Sequence, residues 1–215
     1  MNELIGTVID GRFEVVRSIG KGGYGDVFEA VQLSVDRRVA LKVVHRHLAE
    51  RSDVSERFRR EARLTSRLDH PNAVGVIDFG DDGGLLYLVM DFVQGPTLKQ
   101  RLREEERLEP GVACEIASGV AAALHAAHSI GLVHRDLKPS NVILAEGADG
   151  LRPVVIDFGL VKAFTEEPDS EEVTASHMMI GTPAYMSPEN VLGRKVDGRS
   201  DLYALGVLLF EMLSG

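Results

Sequence analysis

Short β-branched runs separated by glycines fill the stretch from Phe13 to Val44, a pattern that predicts antiparallel strands joined by hairpin turns. Ser55 to Leu68 changes period: Phe58, Ala62, Leu64 and Leu68 form an apolar stripe on a helix whose remaining faces carry Arg57, Arg59, Arg60, Arg63 and Arg67. His70-Pro-Asn72 ends that helix. Val74 to Phe79 and Leu85 to Phe92 then read as two strands joined at Gly80 to Gly84. From Leu98 the texture is mainly helical, with an alanine-rich core helix from Gly111 to Ile130. Val154 to Ile156 reads as a short buried strand, and Asp201 to Gly206 opens a final apolar helix. The order predicts an α+β chain of two lobes, a small antiparallel β-rich lobe with one helix over 1–92 and a mainly helical lobe over 93–215, linked near Phe92 to Gly95.

At 215 residues the chain is long enough to bury a sizeable core. Its formal net charge of −9 excludes a general nucleic-acid or anionic-membrane binder, since both need a cationic face. The single cysteine, Cys114, forms no intramolecular disulfide, and no Cys/His cluster has zinc-site spacing, so a reducing cytoplasm is the expected location. The N-terminus lacks the basic-then-apolar pattern of a signal peptide. The longest apolar run, Leu202 to Leu213, is shorter than the roughly 18 residues of a membrane span, and no membrane segment is expected.

Candidate chemistry concentrates in Leu132 to Asn141. Asp136 and Asn141 stand on either side of Pro139, which forbids a regular helix interior, so this is a shaped loop presenting an acid, Arg135, Lys138 and an amide. A second acid, Asp157, follows the β-branched run. Two acids and an amide supply oxygen ligands suited to Mg²⁺ and phosphoryl transfer. Upstream, Gly20-Lys-Gly-Gly-Tyr-Gly25 is a G-x-G-x-x-G, which alone is equally a plain glycine hairpin. No helical pattern follows it and the acid of a dinucleotide site is not evident. Instead a strand carries Lys42 among apolar neighbours, at hairpin distance from the glycines, and phosphate contact becomes its better reading. Glu61 lies within the arginine-rich helix and reads either as part of an intrahelical ion pair or as a partner reaching Lys42. His125 and His128, three apart with no third ligand, read as ordinary helix positions. Glu104 to Glu106 reads as a solvated face.

Taken together, the glycine loop, Val39-Ala-Leu-Lys42, His134-Arg-Asp-Leu-Lys-Pro-Ser-Asn141, Asp157-Phe-Gly159 and Ser187-Pro-Glu189 resemble the protein-kinase family. The likeness is to its bacterial, eukaryotic-like (Hanks-type) Ser/Thr members, and it covers nearly the whole chain in the family's order and spacing. The resemblance implies a bilobal protein-kinase-like fold, ATP and Mg²⁺ (with Mn²⁺ as the alternative ion) as cofactors, and transfer of the γ-phosphate to Ser/Thr hydroxyls of protein substrates.

Roles follow by position. Gly20, Gly22 and Gly25 would cover the ATP phosphates, and Lys42, held by Glu61, would contact the α- and β-phosphates. Asn141 and Asp157 would hold the metal. Asp136 would take or orient the hydroxyl proton, Lys138 would stabilise the γ-phosphoryl group, and Thr182 would bond both. Ile19, Val27, Ala40 and Ile143 would wall the adenine, with Met90 as gatekeeper and the backbone of Asp91 and Val93 at the adenine edge. Arg135 would pair with a phosphate on Thr174 or Ser176, in the acidic segment between Leu160 and Ile180 that lacks periodicity, and so order it. Autophosphorylation there implies a dimer for the trans reaction.

The chain departs from the family in two places. Ser187-Pro-Glu189 stands for Ala-Pro-Glu, and the family's later helices, one of which pairs an arginine with the glutamate at Glu189, do not follow Met212. The sequence thus reads as a kinase truncated in its second lobe, either the cytoplasmic part of a longer, membrane-anchored kinase or a natural truncation. A catalytically weak nucleotide-binding scaffold is the alternative, and a small-molecule phosphotransferase ranks below both.

Overall fold

Six antiparallel strands lie between Val8 and Asp91. A computed structural model describes residues 2–147, 150–159 and 183–215. The sheet runs in the order β1 (Val8–Ile9), β2 (Phe13–Lys21), β3 (Gly25–Gln32), β4 (Arg37–Val44), β6 (Leu85–Asp91) and β5 (Val76–Asp82). The β5–β6 turn is tight. Asp82 pairs with Leu85, and the two residues between them, Gly83 (φ 58) and Gly84 (φ 87), both take the positive φ that a primed two-residue hairpin turn demands.

Strand alternation divides the sheet into two faces with different contents. One face holds the apolar cluster of Phe13, Phe28, Leu41, Val43, Tyr87 and Val89. Register puts Val27 opposite Lys42, Lys42 opposite Leu88 and Ala40 opposite Met90, so these five side chains share the other face. β4 is central and both its faces are covered from Val39 to Val44, which is why its sequence reads as a nearly continuous apolar run.

Two helices complete this unit, α1 (Arg46–Ala49) and α2 (Ser52–Thr65). The expected helix over 55–68 begins three residues earlier and ends three earlier. Its N-cap is Arg51, which makes no side-chain capping bond, so no cap residue marked the start. Val54, Phe58 and Ala62 are its buried stripe. The strand expected over 74–79 is displaced to 76–82.

The second unit comprises residues 68–74 and 94–215, and the first 1–67 and 75–93. The second contains α3 (Leu98–Glu105), α4 (Pro110–Ser129), the hairpin β7 (Val142–Gly147) with β8 (Gly150–Val155), α5 (Pro188–Val191) and α6 (Gly198–Ser214). Local signals start the helices: Thr97 and Gln100 form a capping box on α3, Pro110 opens α4, and Asp197 accepts the Arg199 N–H at 2.9 Å to open α6. β7 has no counterpart in the hydrophobic pattern read above.

α4 packs on α6 and β8. It buries Ile116, Val120 and Leu124, while α6 buries Ala204, Leu208 and Met212. Among the described residues α4 is the one helix long and apolar enough to cross a membrane, a candidate the run from Leu202 to Leu213 had obscured. Its length of 20 residues meets the requirement, and its buried alanines and branched side chains are those of a core helix.

Candidate active site

The loop from Leu132 to Asn141 is gripped by one carboxylate. Asp201, in the first turn of α6 and 1% exposed, accepts the backbone N–H of His134 and of Arg135, each at 2.8 Å. His128, at the end of α4, brings Nε2 to 2.7 Å from the same group. A carboxylate buried this deeply needs several donors. Burial alone would raise its pKa, and the bonds from His128 and the two backbone amides more than offset that, so the pKa lies below the ordinary range. Arg135 is left-handed (φ 69), a conformation disfavoured by about 1–2 kcal/mol for a residue with a side chain. Its N–H bond to Asp201 helps hold it there.

His134 ties the loop to the strand end that carries Asp157. Its Nε2 is 2.9 Å from the carbonyl of Ile156, and its Nδ1 accepts the Asp136 N–H at 3.2 Å. One neutral tautomer, with the proton on Nε2, satisfies both. The ring meets Phe158 edge-on at 4.9 Å. The Asn141 carbonyl accepts the Ile156 N–H at 2.9 Å. Asp157 is also left-handed (φ 65), so the chain turns sharply as it leaves the sheet.

Asp136 is the centre of the polar cluster. Lys138 Nζ lies 2.6 Å from its Oδ2, and Asn141 Nδ2 donates to its carbonyl at 2.8 Å and to Oδ2 at 3.3 Å. Both side-chain bonds land on Oδ2, which leaves Oδ1 as the oxygen that an incoming hydroxyl can meet. The same bonds fix the Asn141 amide with its nitrogen toward Asp136, so Oδ1 of Asn141 faces the other way as an oxygen ligand. With the Asp157 carboxylate, this donor set fits a hard divalent cation such as Mg²⁺. A small open cavity of about 20 Å³ lies beside Asp136, lined by Leu137, Tyr185, Met186 and Asn190.

Ser187 caps α5, accepting the Asn190 N–H at 3.4 Å, and donates to Ser200 Oγ at 3.0 Å. Ser200 in turn donates to Glu189. This bond, first among its causes, lowers the Glu189 pKa. Glu189, expected to lack its arginine, therefore has a hydroxyl partner on α6.

In the first unit, Gly25 opposes Val44, and a Cβ at Gly25 would sit 2.3 Å from the Val43 carbonyl. Only glycine allows this closeness. The Gly22 N–H bonds the Gly25 carbonyl at 3.0 Å, closing the turn on itself. Lys42 (9% exposed) and Glu61 (5%) are both buried in this unit, where two unlike charges each need compensation. Asp91 gives its N–H to the Gly75 carbonyl at 2.9 Å.

Residues 13–215 match the protein kinase domain family. The chain belongs to that family. The kinase domain is 44% identical over 209 residues to the serine/threonine-protein kinase pkn2 of Myxococcus xanthus, covering 97% of this chain and 25% of that protein. It is 38% identical over 213 residues to the serine/threonine-protein kinase PrkC of Bacillus subtilis, covering 99% of this chain and 32% of that one. It also superposes on the Mycobacterium tuberculosis PknI kinase domain with a TM-score of 0.75 and 31% identity, over 97% of this chain and 76% of that one. The kinase domain thus spans about a quarter to a third of the two curated relatives. The fold is the protein-kinase-like α+β fold that the motifs implied.

Within the kinase domain, Val27, Ala40, Lys42 and Met90 meet on one sheet face of the first unit. Asp136, Lys138 and Asn141 meet in the second, and Ile143 follows Asn141 on β7. Ile19 falls at an irregularity of β2 and is 40% exposed. Thr174, Ser176 and Thr182 lie outside the described residues. Sequence reasoning missed Asp201, His128 and Ser200. Asp201 had a signal: a lone acid opening an apolar helix must be either solvated or partnered.

Proposed function

We propose that this chain is the catalytic domain of a serine/threonine protein kinase that transfers the γ-phosphoryl group of ATP to Ser/Thr hydroxyls of proteins. The observation that carries the reading is the Asp136 cluster, where Lys138 at 2.6 Å and Asn141 at 3.3 Å converge on one carboxylate oxygen and leave the other to a hydroxyl. Asp136 accepts or orients the substrate proton, and Lys138 follows the charge that develops on the transferred group. Asn141 Oδ1 and Asp157 are the residues that would hold Mg²⁺, or Mn²⁺ in its place. That ion neutralises phosphate charge when bound.

On the first unit, backbone amides of Gly20, Gly22 and Gly25 meet the phosphates, and Lys42, paired with Glu61, contacts the α- and β-phosphates. Ile19, Val27 and Ala40 contribute apolar surface for adenine, Met90 is the gatekeeper, and Asp91 and Val93 offer backbone groups. On the second unit, Ile143 contributes apolar surface and Thr182 orders the acceptor. Arg135 receives a phosphate on Thr174 or Ser176, placed there by a second copy of the chain. The two lobes divide the chain at 92/93, and the domain works in the cytoplasm, with protein substrates and without nucleic acid.

Radiolabelled ATP with Mg²⁺ and a generic basic protein tests the reading. Wild type labels the protein, and Asp136→Asn loses at least about 100-fold in rate. Equal labelling by both overturns it. Mass spectrometry after incubation with Mg-ATP checks Thr174 and Ser176 in the same samples.

A further inference from the structure

The descending arm of the glycine-rich turn is pinned at three successive residues to the end of β4. His45, the residue after β4, donates its backbone N–H to the carbonyl of Tyr24 at 2.9 Å, inside the turn. Gly25 packs on the Val43 carbonyl so closely that no Cβ fits. Asp26 follows, and its Oδ1 lies 3.6 Å from Nε2 of the His45 ring. The two side chains are 9% and 27% exposed. Nε2 of His45 is buried without a hydrogen-bond partner among the described residues.

A gap of 3.6 Å is too long for a hydrogen bond. A neutral ring there leaves a buried nitrogen unsatisfied, whereas a protonated ring is a donor at both nitrogens and faces a carboxylate. Closing the gap by less than about 1 Å would make a charge-assisted bond. Imidazole is also the side chain whose charge changes near neutral pH. The other charged groups around the ring are few. His47 on α1 has its ring centroid 5.8 Å away, Lys21 stands across from Asp26 on β2 and is exposed, and Arg46 pairs with Glu50 at 3.8 Å on the solvent side of α1.

We propose that Asp26 and His45 are positioning residues for the glycine-rich hairpin, and that protonation of His45 sets how tightly the hairpin holds a nucleoside triphosphate. The inference rests on the reading that this hairpin covers ATP phosphates. Neither side chain touches the nucleotide. Their effect reaches it through Tyr24 and Gly25, whose backbone they hold against β4. The clasp is closed when the His45 ring carries its second proton and open when the ring is neutral.

Calorimetric titration of the full chain with the non-hydrolysable analogue AMP-PNP and Mg²⁺, from pH 5.5 to 8, tests the clasp. Wild-type affinity weakens by about 3- to 10-fold over that range. His45→Gln and Asp26→Asn bind more weakly at pH 6 and lose this slope, and their profiles remove any contribution from titration of the nucleotide itself. His45→Lys keeps the cation and binds tightly throughout, and His47→Gln keeps the wild-type slope. Parallel slopes in wild type, His45→Gln and Asp26→Asn overturn the clasp alone. No binding by wild type at any pH overturns the nucleotide reading with it.

Discussion

His128 Nε2 stands 2.7 Å from Asp201 Oδ2, joining the last turn of α4 to the first turn of α6 beneath the Leu132–Asn141 loop. Replacing Asp201 by Ala strips His128 and two buried backbone N–H groups of their acceptor. It should cost about 3–5 kcal/mol. His128→Gln leaves the backbone bonds in place and should cost about 1–2 kcal/mol. Urea denaturation measures both. The pH dependence has a definite sign. A carboxyl whose pKa is depressed on folding stabilises fully above the ordinary aspartate value of about 3.9, and that contribution disappears as pH falls through the depressed value. The urea midpoint of wild type should therefore drop below about pH 4, and Asp201→Asn should flatten that part of the drop.

Gly198 and Gly206 share α6 and should respond oppositely to alanine. A Cβ at Gly198 would fall 2.8 Å from Cε1 and Nδ1 of His128, pushing the ring off Asp201. At Gly206 a Cβ meets nothing within 4 Å, and the position is helical and exposed. Gly206→Ala should stabilise by about 0.5–1 kcal/mol through helix propensity and a less disordered unfolded chain. Gly198→Ala should destabilise by at least about 1 kcal/mol. Thermal melts of the two variants side by side decide it, and stabilisation by both would mean that His128 moves aside freely.

Lys138 lies 2.6 Å from Asp136 with both side chains partly exposed, at 23% and 20%. Such a pair contributes only about 0–1 kcal/mol to folding. Lys138→Met should leave the melting temperature almost unchanged. Its kcat should fall by about 100- to 1000-fold, because the cation matters most when charge develops on the transferred group. KM for ATP should change far less. A variant with raised KM and intact kcat would make Lys138 a ground-state binding residue instead.

Motifs made of contiguous residues were legible, and the reason is local. Asp136, Lys138 and Asn141 sit in one short loop whose shape Pro139 helps to dictate, and Gly20 to Gly25 declares its turn by composition. What escaped was long-range. Asp201 reaches His134 and Arg135 from far along the chain, and His128 reads as an ordinary helix position because its partner lies 73 residues further on. Ser187 and Ser200 are common residue types, and only their burial marks them as a relay to Glu189. β7 carries no alternation, so it emerges only through pairing with β8. The start of α2 shifted because Arg51 gives no capping signal.

Tyr87 and Tyr185 should ionise late. Tyr87 is held protonated first by burial and then by donating to Asp10 at 2.6 Å, which pushes its pKa up to about 12. Tyr185 is likewise raised by burial and by its bond to Glu211 at 2.5 Å. In both, the folded protein prefers the neutral phenol. The stabilisation is fully present below the ordinary tyrosine value of about 10 and is lost as pH rises from there toward the raised values. Phenolate absorbance recorded against far-ultraviolet circular dichroism should show late ionisation that coincides with loss of structure. Tyr87→Phe and Tyr185→Phe should each remove one late phenolate. Tyr185→Phe should cost only about 0.5–1.5 kcal/mol, since Glu211 on the partly exposed side of α6 can turn to water. Ionisation of Tyr87 and Tyr185 near pH 10 with structure intact would show that the Tyr87–Asp10 and Tyr185–Glu211 bonds do not persist in solution.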